Sequence, residues 1–147
     1  MALERSIGAV IKYQSPYSSS SSSFREDSSE FLLLKNRRGF WGFPQGHKKK
    51  GESEIQTLVR EVLEETGIKA LEIQSYIGKI QYSYFKGDGM KSDKEVRFYF
   101  ATTPTHEVKI SDEHADFRWV TLFDALNLLD HAKLKLVLTK GHMKGLY

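Results

Sequence analysis

A chain of 147 residues with 39% apolar side chains has the size and hydrophobic content for one buried core, and a formal charge of +3 is too small an excess to mark a dedicated nucleic-acid tail. The absence of cysteine excludes disulfides and thiolate sites, so a bound metal must take oxygen or imidazole ligands. No run of about 18 apolar residues exists to cross a bilayer as a helix, and the short apolar stretch after Glu4 and Arg5 does not read as an export signal; one domain spanning 1–147, cytoplasmic and without a membrane partner, is expected.

In chain order, Arg5 to Tyr13 is rich in β-branched and apolar residues and predicts a strand. Residues 14–29 hold an unbroken serine run, Ser18 to Ser23, flanked by Pro16 and by Arg25, Glu26 and Asp27; such a composition buries too little apolar area to order itself and predicts a mobile surface loop. Phe31 to Leu34 resumes an apolar run and predicts the next strand. Gly39, Gly42, Pro44, Gly46 and Gly51 make 36–52 a loop with at most short extended pieces. Ser53 with Gln56 fits a capping box and Gly67 a C-terminal cap, so a helix is predicted from about 54 to 66, with Ile55, Leu58, Val59, Val62 and Leu63 as its apolar face. Alternation over Leu71 to Tyr84 and Val96 to Ala101 predicts two strands around a Gly87-Asp88-Gly89 turn, and Phe117 to Val120 a further short one. Thr121 with Asp124 caps a helix carrying Leu122, Ala125, Leu126 and Leu129, and a second helical stretch with Leu134, Leu136, Val137 and Leu138 ends near Gly141. Without a strict βαβ repeat, the pattern predicts an α/β fold in which helices cover both faces of a mixed sheet.

The chemistry concentrates on the helix from Ser53. At about 100° per residue Glu61, Glu64 and Glu65 share one arc, and Glu61 and Glu65 stand in an (i, i+4) relation that costs an isolated helix a few tenths of a kcal/mol. Such an arc is either the solvated side of an amphipathic helix or the place for a hard divalent cation such as Mg²⁺ or Mn²⁺, which takes oxygen ligands, leaves positions for water and phosphate, and would offset that repulsion. The surroundings favour the second reading. Gly46 is followed by five residues and Glu52, then by seven residues and Arg60-Glu61-Val62-Leu63-Glu64-Glu65-Thr66-Gly67-Ile68. Over 46–68 this resembles the Nudix box, Gly-x5-Glu-x7-Arg-Glu-U-x-Glu-Glu-x-Gly-U, with U a bulky aliphatic residue. Seven fixed letters at roughly 7% each put a chance match on the order of 10⁻⁸ per starting position.

The resemblance implies an α/β/α Nudix sandwich and a metal-dependent hydrolase of phosphoanhydride bonds. It implies that Glu61, Glu64 and Glu65, with the backbone carbonyl of Gly46, hold the metal, that Glu61 and Glu64 take part in catalysis, and that Arg60 is structural, fixing Glu52 or Glu64. Glu113, ahead of Phe117-Arg118-Trp119-Val120, is the candidate for a further catalytic carboxylate from a loop. Phe40 to His47 resembles the entry segment of the asymmetric diadenosine tetraphosphate hydrolases and the RNA pyrophosphohydrolases, and Asp112-Glu113-His114 with Phe117-Arg118-Trp119 is more similar to the former; Phe98 stands where those enzymes often carry a tyrosine. Trp41, His47 and Lys94 are the candidate substrate-binding residues, Trp41 by stacking on a purine and Lys94 by reaching a phosphate. His106, His114, His131 and His142 show no pairwise metal spacing. The expected substrate is a dinucleoside polyphosphate, cleaved asymmetrically. The alternatives are another Nudix specificity (a nucleoside triphosphate, ADP-ribose, or the 5′ end of RNA, in which case nucleic acid is the partner) or a catalytically silent nucleotide or RNA sensor, against which Glu52, Glu61, Glu64 and Glu65 speak.

Overall fold

The computed structural model describes residues 3–16 and 29–147, and its central strand is β1 (Glu4–Tyr13). Along its length β1 runs parallel to β6 (Lys91–Thr103), from Glu4↔Lys94 to Tyr13↔Thr103. Its other edge is shared: the N-terminal half pairs antiparallel with β4 (Gln45–His47) and the C-terminal end with β2 (Phe31–Asn36). β6 continues to β5 (Glu72–Phe85), and β2 to β3 (Trp41–Gly42) and β7 (His114–Val120). The period of two along β1 assigns the layers. Ile7, Ala9 and Ile11 join Leu32 and Leu34 beneath α1 (Glu54–Thr66), while Val10 joins Phe31, Leu33, Phe98 and Phe100 beneath α2 (Leu122–Leu128) and α3 (Ala132–Met143). Helices therefore cover both faces of a mixed sheet, as the element pattern predicts. Among the described residues no helix is long and apolar enough to cross a membrane.

The loop over 36–52 carries two short extended pieces, β3 and β4, as its composition allows, and two other boundaries shift. The strands flanking 86–90 run right up to the turn, which Lys86 N–H closes on the Met90 carbonyl at 2.9 Å. α3 passes through Gly141 to Met143, and the chain turns at Gly145, φ +75°; Gly141 faces the Tyr147 ring, where a Cβ would meet the hydroxyl, so glycine stands there for close packing rather than as a helix end. The serine run falls in 17–28, outside the described residues.

The largest correction concerns the buried face of α1. The caps are as predicted: Ser53 and Gln56 exchange hydrogen bonds of 2.9 and 3.1 Å, and Gly67, at φ +73°, donates its N–H to the Leu63 carbonyl. The expected apolar face splits, however. Leu58 and Val62 are buried, but Ile55, Val59 and Leu63 are 41–45% exposed, and Thr57, Glu65 and Thr66 are buried in their place. The two threonines go inside already hydrogen-bonded, Thr57 Oγ1 to Glu52 and to the Ser53 carbonyl, Thr66 Oγ1 to the Val62 carbonyl at 2.6 Å, so their burial costs little. The helix is rolled so that its carboxylates face the sheet edge, which apolar periodicity cannot report. Leu58→Ala is expected to cost about 2–5 kcal/mol and Val59→Ala within roughly 0.5 kcal/mol, as read by urea unfolding; equal costs would restore the face inferred from periodicity.

A charged knot fastens α1 to the sheet. Glu95 on β6 is 2% exposed and accepts from Arg5 at 2.8 Å, Arg97 at 3.1 Å and Gln81 at 3.4 Å, with Lys79 Nζ at 3.3 Å. Arg97 and the Tyr99 hydroxyl then reach the two oxygens of Glu54, in the first turn of α1, at 2.8 and 2.7 Å. Burial raises the Glu95 pKa, but the bonds from Arg5, Lys79, Arg97 and Gln81 outweigh it and hold the carboxyl at about 2. A folded pKa below the unfolded value gives stability that is present above about pH 4.5 and is lost as pH falls toward 2. Denaturant unfolding across that window should show a steeper loss for the wild type than for Glu95→Gln; parallel curves would mean that the knot adds no pH-dependent stability.

Candidate active site

Gly46, paired with Ile7 across β1 and β4, is where the site begins. A Cβ there would lie 1.9–2.4 Å from the atoms of the Glu61 carboxyl group, so only glycine lets that carboxylate lie against the strand. Arg60 organises the neighbouring acids. Its Nε and Nη2 hold the two oxygens of Glu52 at 2.7 and 2.9 Å, its Nη1 reaches Glu61 at 2.7 Å and Glu64 at 3.3 Å, and Nη2 also donates to the His47 carbonyl at 2.9 Å. The Arg60 bond, with the Lys49 N–H, holds Glu52 down to about 2. Arg60 joins α1 to the chain before it and has its fork occupied by protein groups, which is a structural arrangement.

Glu65 is the most enclosed of the box acids, at 5% exposure. Its Oε1 accepts the Gln45 N–H at 3.3 Å and lies 3.6 Å from His114 Nε2. Burial, and then the charges of Glu61, Glu113 and Glu64, push its carboxyl up to about 8. Burial pushes His114 down, so at neutral pH the contact joins Glu65 to an uncharged imidazole. The loop carrying Glu113 is laid along the end of α1: Lys109 N–H bonds to the Thr66 carbonyl at 2.8 Å and Ser111 N–H to the Glu65 carbonyl at 3.3 Å, and the chain then turns into β7 through His114 N–H to the Ser111 carbonyl.

The outcome is a cavity of about 610 Å³ whose lining includes Gly46, His47, Glu61, Glu64, Glu65, Lys94 and Glu113. Trp41 stands apart from these. It lines an adjoining cavity of about 650 Å³, beside the start of α3, which shares Gln45, Glu65 and Glu113 with the first. Trp41 is 8% exposed, donates its backbone N–H to Asp130 at 2.9 Å, and has Arg118 and Lys35 at 5.3 and 5.9 Å from its ring, leaving little face for stacking. Other aromatic residues are better placed. Phe40 is 53% exposed on the rim, and Tyr82 and His131 line the same cavity; Lys94 Nζ lies 5.9 Å from the Tyr82 ring centroid, at the junction of the two cavities. The sequence marks none of the three: Tyr82 reads as one more alternating strand residue, Phe40 as the neighbour of a tryptophan, and His131 as a histidine without metal spacing. Phe98 is fully buried against Phe43 and under Gly8, a packing residue.

Among the described residues no three His, Asp or Glu side chains are already drawn together tightly enough to enclose an ion. The donor set nevertheless fits a hard divalent cation. Five carboxylates, Glu61, Glu64, Glu65, Asp112 and Glu113, border one cavity, and the most buried of them, Glu65, with few donors of its own, holds its charge only at a cost that a cation removes.

A family model described as the NUDIX domain matches residues 20–140. The chain belongs to the Nudix family. It is 35% identical over 120 residues to the asymmetrical bis(5′-nucleosyl)-tetraphosphatase of Sus scrofa, an alignment covering 77% of this chain and 78% of that one. It is also similar to the RNA pyrophosphohydrolase of Pelagibacter ubique, at 29% identity over 69% of this chain and 72% of that one. Among solved structures, a C. elegans Ap4A hydrolase binary complex aligns with a TM-score of 0.74 at 27% identity, covering 98% of both chains. This Nudix hydrolase thus carries its box on β4 and α1, and Nudix hydrolases generally use divalent metals.

Gly46→Ala tests the close approach. The atoms its Cβ would meet are the end of a flexible side chain, so the expected result is a folded protein with Glu61 displaced: a melting temperature within roughly 4 °C of wild type and turnover lower by about 10². Unchanged turnover would mean that Glu61 need not lie against the strand.

Proposed function

We propose that this Nudix hydrolase cleaves a dinucleoside tetraphosphate asymmetrically, to a nucleoside triphosphate and a monophosphate, with diadenosine tetraphosphate as the substrate and Mg²⁺, or Mn²⁺ in its place, as the metal. The observation that carries this reading is that the carboxylate-lined cavity and the aromatic-lined cavity share Gln45, Glu65 and Glu113. A tetraphosphate chain offers several chemically similar phosphorus atoms, so unequal products require one base to be anchored at a fixed distance from the reacting centre. Adjoining cavities, one for phosphates and one for a base, supply that distance. The similarity to the tetraphosphatases supports the same reading.

Glu61, Glu64, Glu65 and the Gly46 carbonyl would hold the cation, which when bound neutralises polyphosphate charge and makes water more acidic. Arg60 keeps Glu61 and Glu64 from swinging out of the cleft. Glu113 takes the proton as the water oxygen bonds to phosphorus; the bridging P–O bond breaks and its electron pair leaves with the departing nucleotide. Lys94 and His47 border the phosphate path, and Phe40, Tyr82 and His131, with Trp41 as a wall, border the base. One catalytic domain in the cytoplasm, with a nucleotide as its partner, completes the reading.

Hydrolysis of diadenosine tetraphosphate in ¹⁸O-labelled water with added Mg²⁺ should yield ATP and AMP, with label in one of them identifying the attacked phosphorus, and chelation should abolish turnover. Two ADP products, or rapid cleavage of ADP-ribose or of triphosphorylated RNA 5′ ends with none of the tetraphosphate, would remove this specificity.

A further inference from the structure

The loop tip that presents Glu113 is tied to a second loop through Arg37. β2 and β7 pair antiparallel, with Asn36 opposite His114, so the residues just beyond the pairing, Arg37 after Asn36 and Glu113 before His114, emerge side by side at one end of the sheet. A register shift between Lys35 and Asn36, the signature of a bulge, redirects the chain there. The turn after β2 is built to be stiff. Asn36 Oδ1 accepts the N–H groups of Arg38 and Phe40, both at 3.0 Å, Asn36 N–H bonds to the Phe40 carbonyl at 2.9 Å, and Gly39 takes the left-handed φ of +93° that closes the turn. From this turn Arg37 Nε donates to the Asp112 carbonyl at 2.5 Å. The bonds from Lys109 and Ser111 anchor the loop at its root on α1; Arg37 anchors its tip.

We propose that Arg37 is a positioning residue for Glu113, holding the Asp112-Glu113 peptide so that the carboxylate stands in the cleft between the two cavities. The inference rests on the assignment of Glu113 as proton acceptor. It has a further consequence for substrate selection, because the same turn contributes Arg38 and Phe40 to the base cavity. One short piece of backbone thus borders the bound base and fixes the catalytic loop, so that a base seated in the cavity stabilises the turn from which Arg37 acts.

Steady-state kinetics on diadenosine tetraphosphate with Arg37→Ala, Arg37→Lys, Glu113→Gln and the Arg37→Ala/Glu113→Gln double variant tests this, each protein first checked by thermal melting. The expected result is that Arg37→Ala lowers kcat about 10-fold with KM within about twofold, that Arg37→Lys, which keeps a donor, recovers most of the loss, and that the double variant is no slower than Glu113→Gln alone. Multiplicative losses in the double variant, a rise in KM with kcat intact, or wild-type kcat for Arg37→Ala beside an impaired Glu113→Gln would each overturn the role. Normal turnover by Glu113→Gln would remove the proton-acceptor assignment and this inference with it, while absence of tetraphosphate turnover in the wild type would remove only the substrate; the same cycle would then be run on whichever nucleotide is cleaved.

Discussion

Five carboxylates bordering one cleft, with Glu52 beside them, are a charge problem before they are a catalytic device, and Arg60 offsets much of it. One guanidinium is shared by Glu52, Glu61, Glu64 and the His47 carbonyl, with the pair to Glu52 bidentate. Its planar fork supplies directed donors that a lysine ammonium lacks, and it remains charged at every pH the fold survives. Arg60 can serve only some of the acids, however. Glu65 lies deeper, beyond its reach, and burial drives that carboxyl up to about 8. The cleft therefore keeps at its floor one acid whose charge no protein cation offsets.

The sheet supplies the opening in which this happens. β1 is paired along its full length on the β6 side but divides its other edge between β4 and β2, with Ala9 N–H taken by the Pro44 carbonyl between them. That division lets 43–47 cross from the aromatic-lined cavity to the carboxylate-lined cleft along the rim of the sheet. Gln45 and Gly46, adjacent in sequence, are consequently given different work. Gly46 has no side chain because the Glu61 carboxylate occupies that space, and Gln45 lines both cavities.

The parts of this molecule readable from the chain alone are those in which a residue type answers to one local requirement. Ser53, Gln56 and Gly67 gave the helix ends to the residue, since capping geometry involves only neighbours in sequence. The box spacing located the carboxylates on one arc for the same reason. The buried face of α1 was misassigned because its orientation is decided by long-range ties, Arg97 and Tyr99 to Glu54 at its start and Glu65 beside Gln45 near its end, which outvote the exposed Ile55, Val59 and Leu63. The base cavity was only half legible. Trp41 is the larger ring, yet it packs into the core at 8% exposure, whereas Phe40, whose N–H is held by Asn36 in the adjoining turn, is 53% exposed. Nothing in the spacing of Tyr82, His131 and Phe40 discloses that β5, the start of α3 and the β2–β3 turn meet.

The two cavities have a floor and a wall in common, and this constrains how specificity evolves in such a site. Glu65 and Glu113 border both spaces, so a substitution that reshapes the base cavity near them also moves groups assigned to the chemistry. Residues on the far side, Phe40 and Arg38 on the turn and His131 at the start of α3, touch only the base cavity and can change without disturbing the carboxylates directly. The turn is the exception to that freedom, because Arg37 connects it to the loop of Glu113. Among these residues His131 is therefore the least encumbered: it caps α3 through its ring, accepting the Lys133 N–H at 3.1 Å, and among the described residues its hydrogen bonds stay within α3. Variation in base preference should accordingly accumulate at the α3 side of the cavity first, and at the turn only together with compensating changes in 111–114.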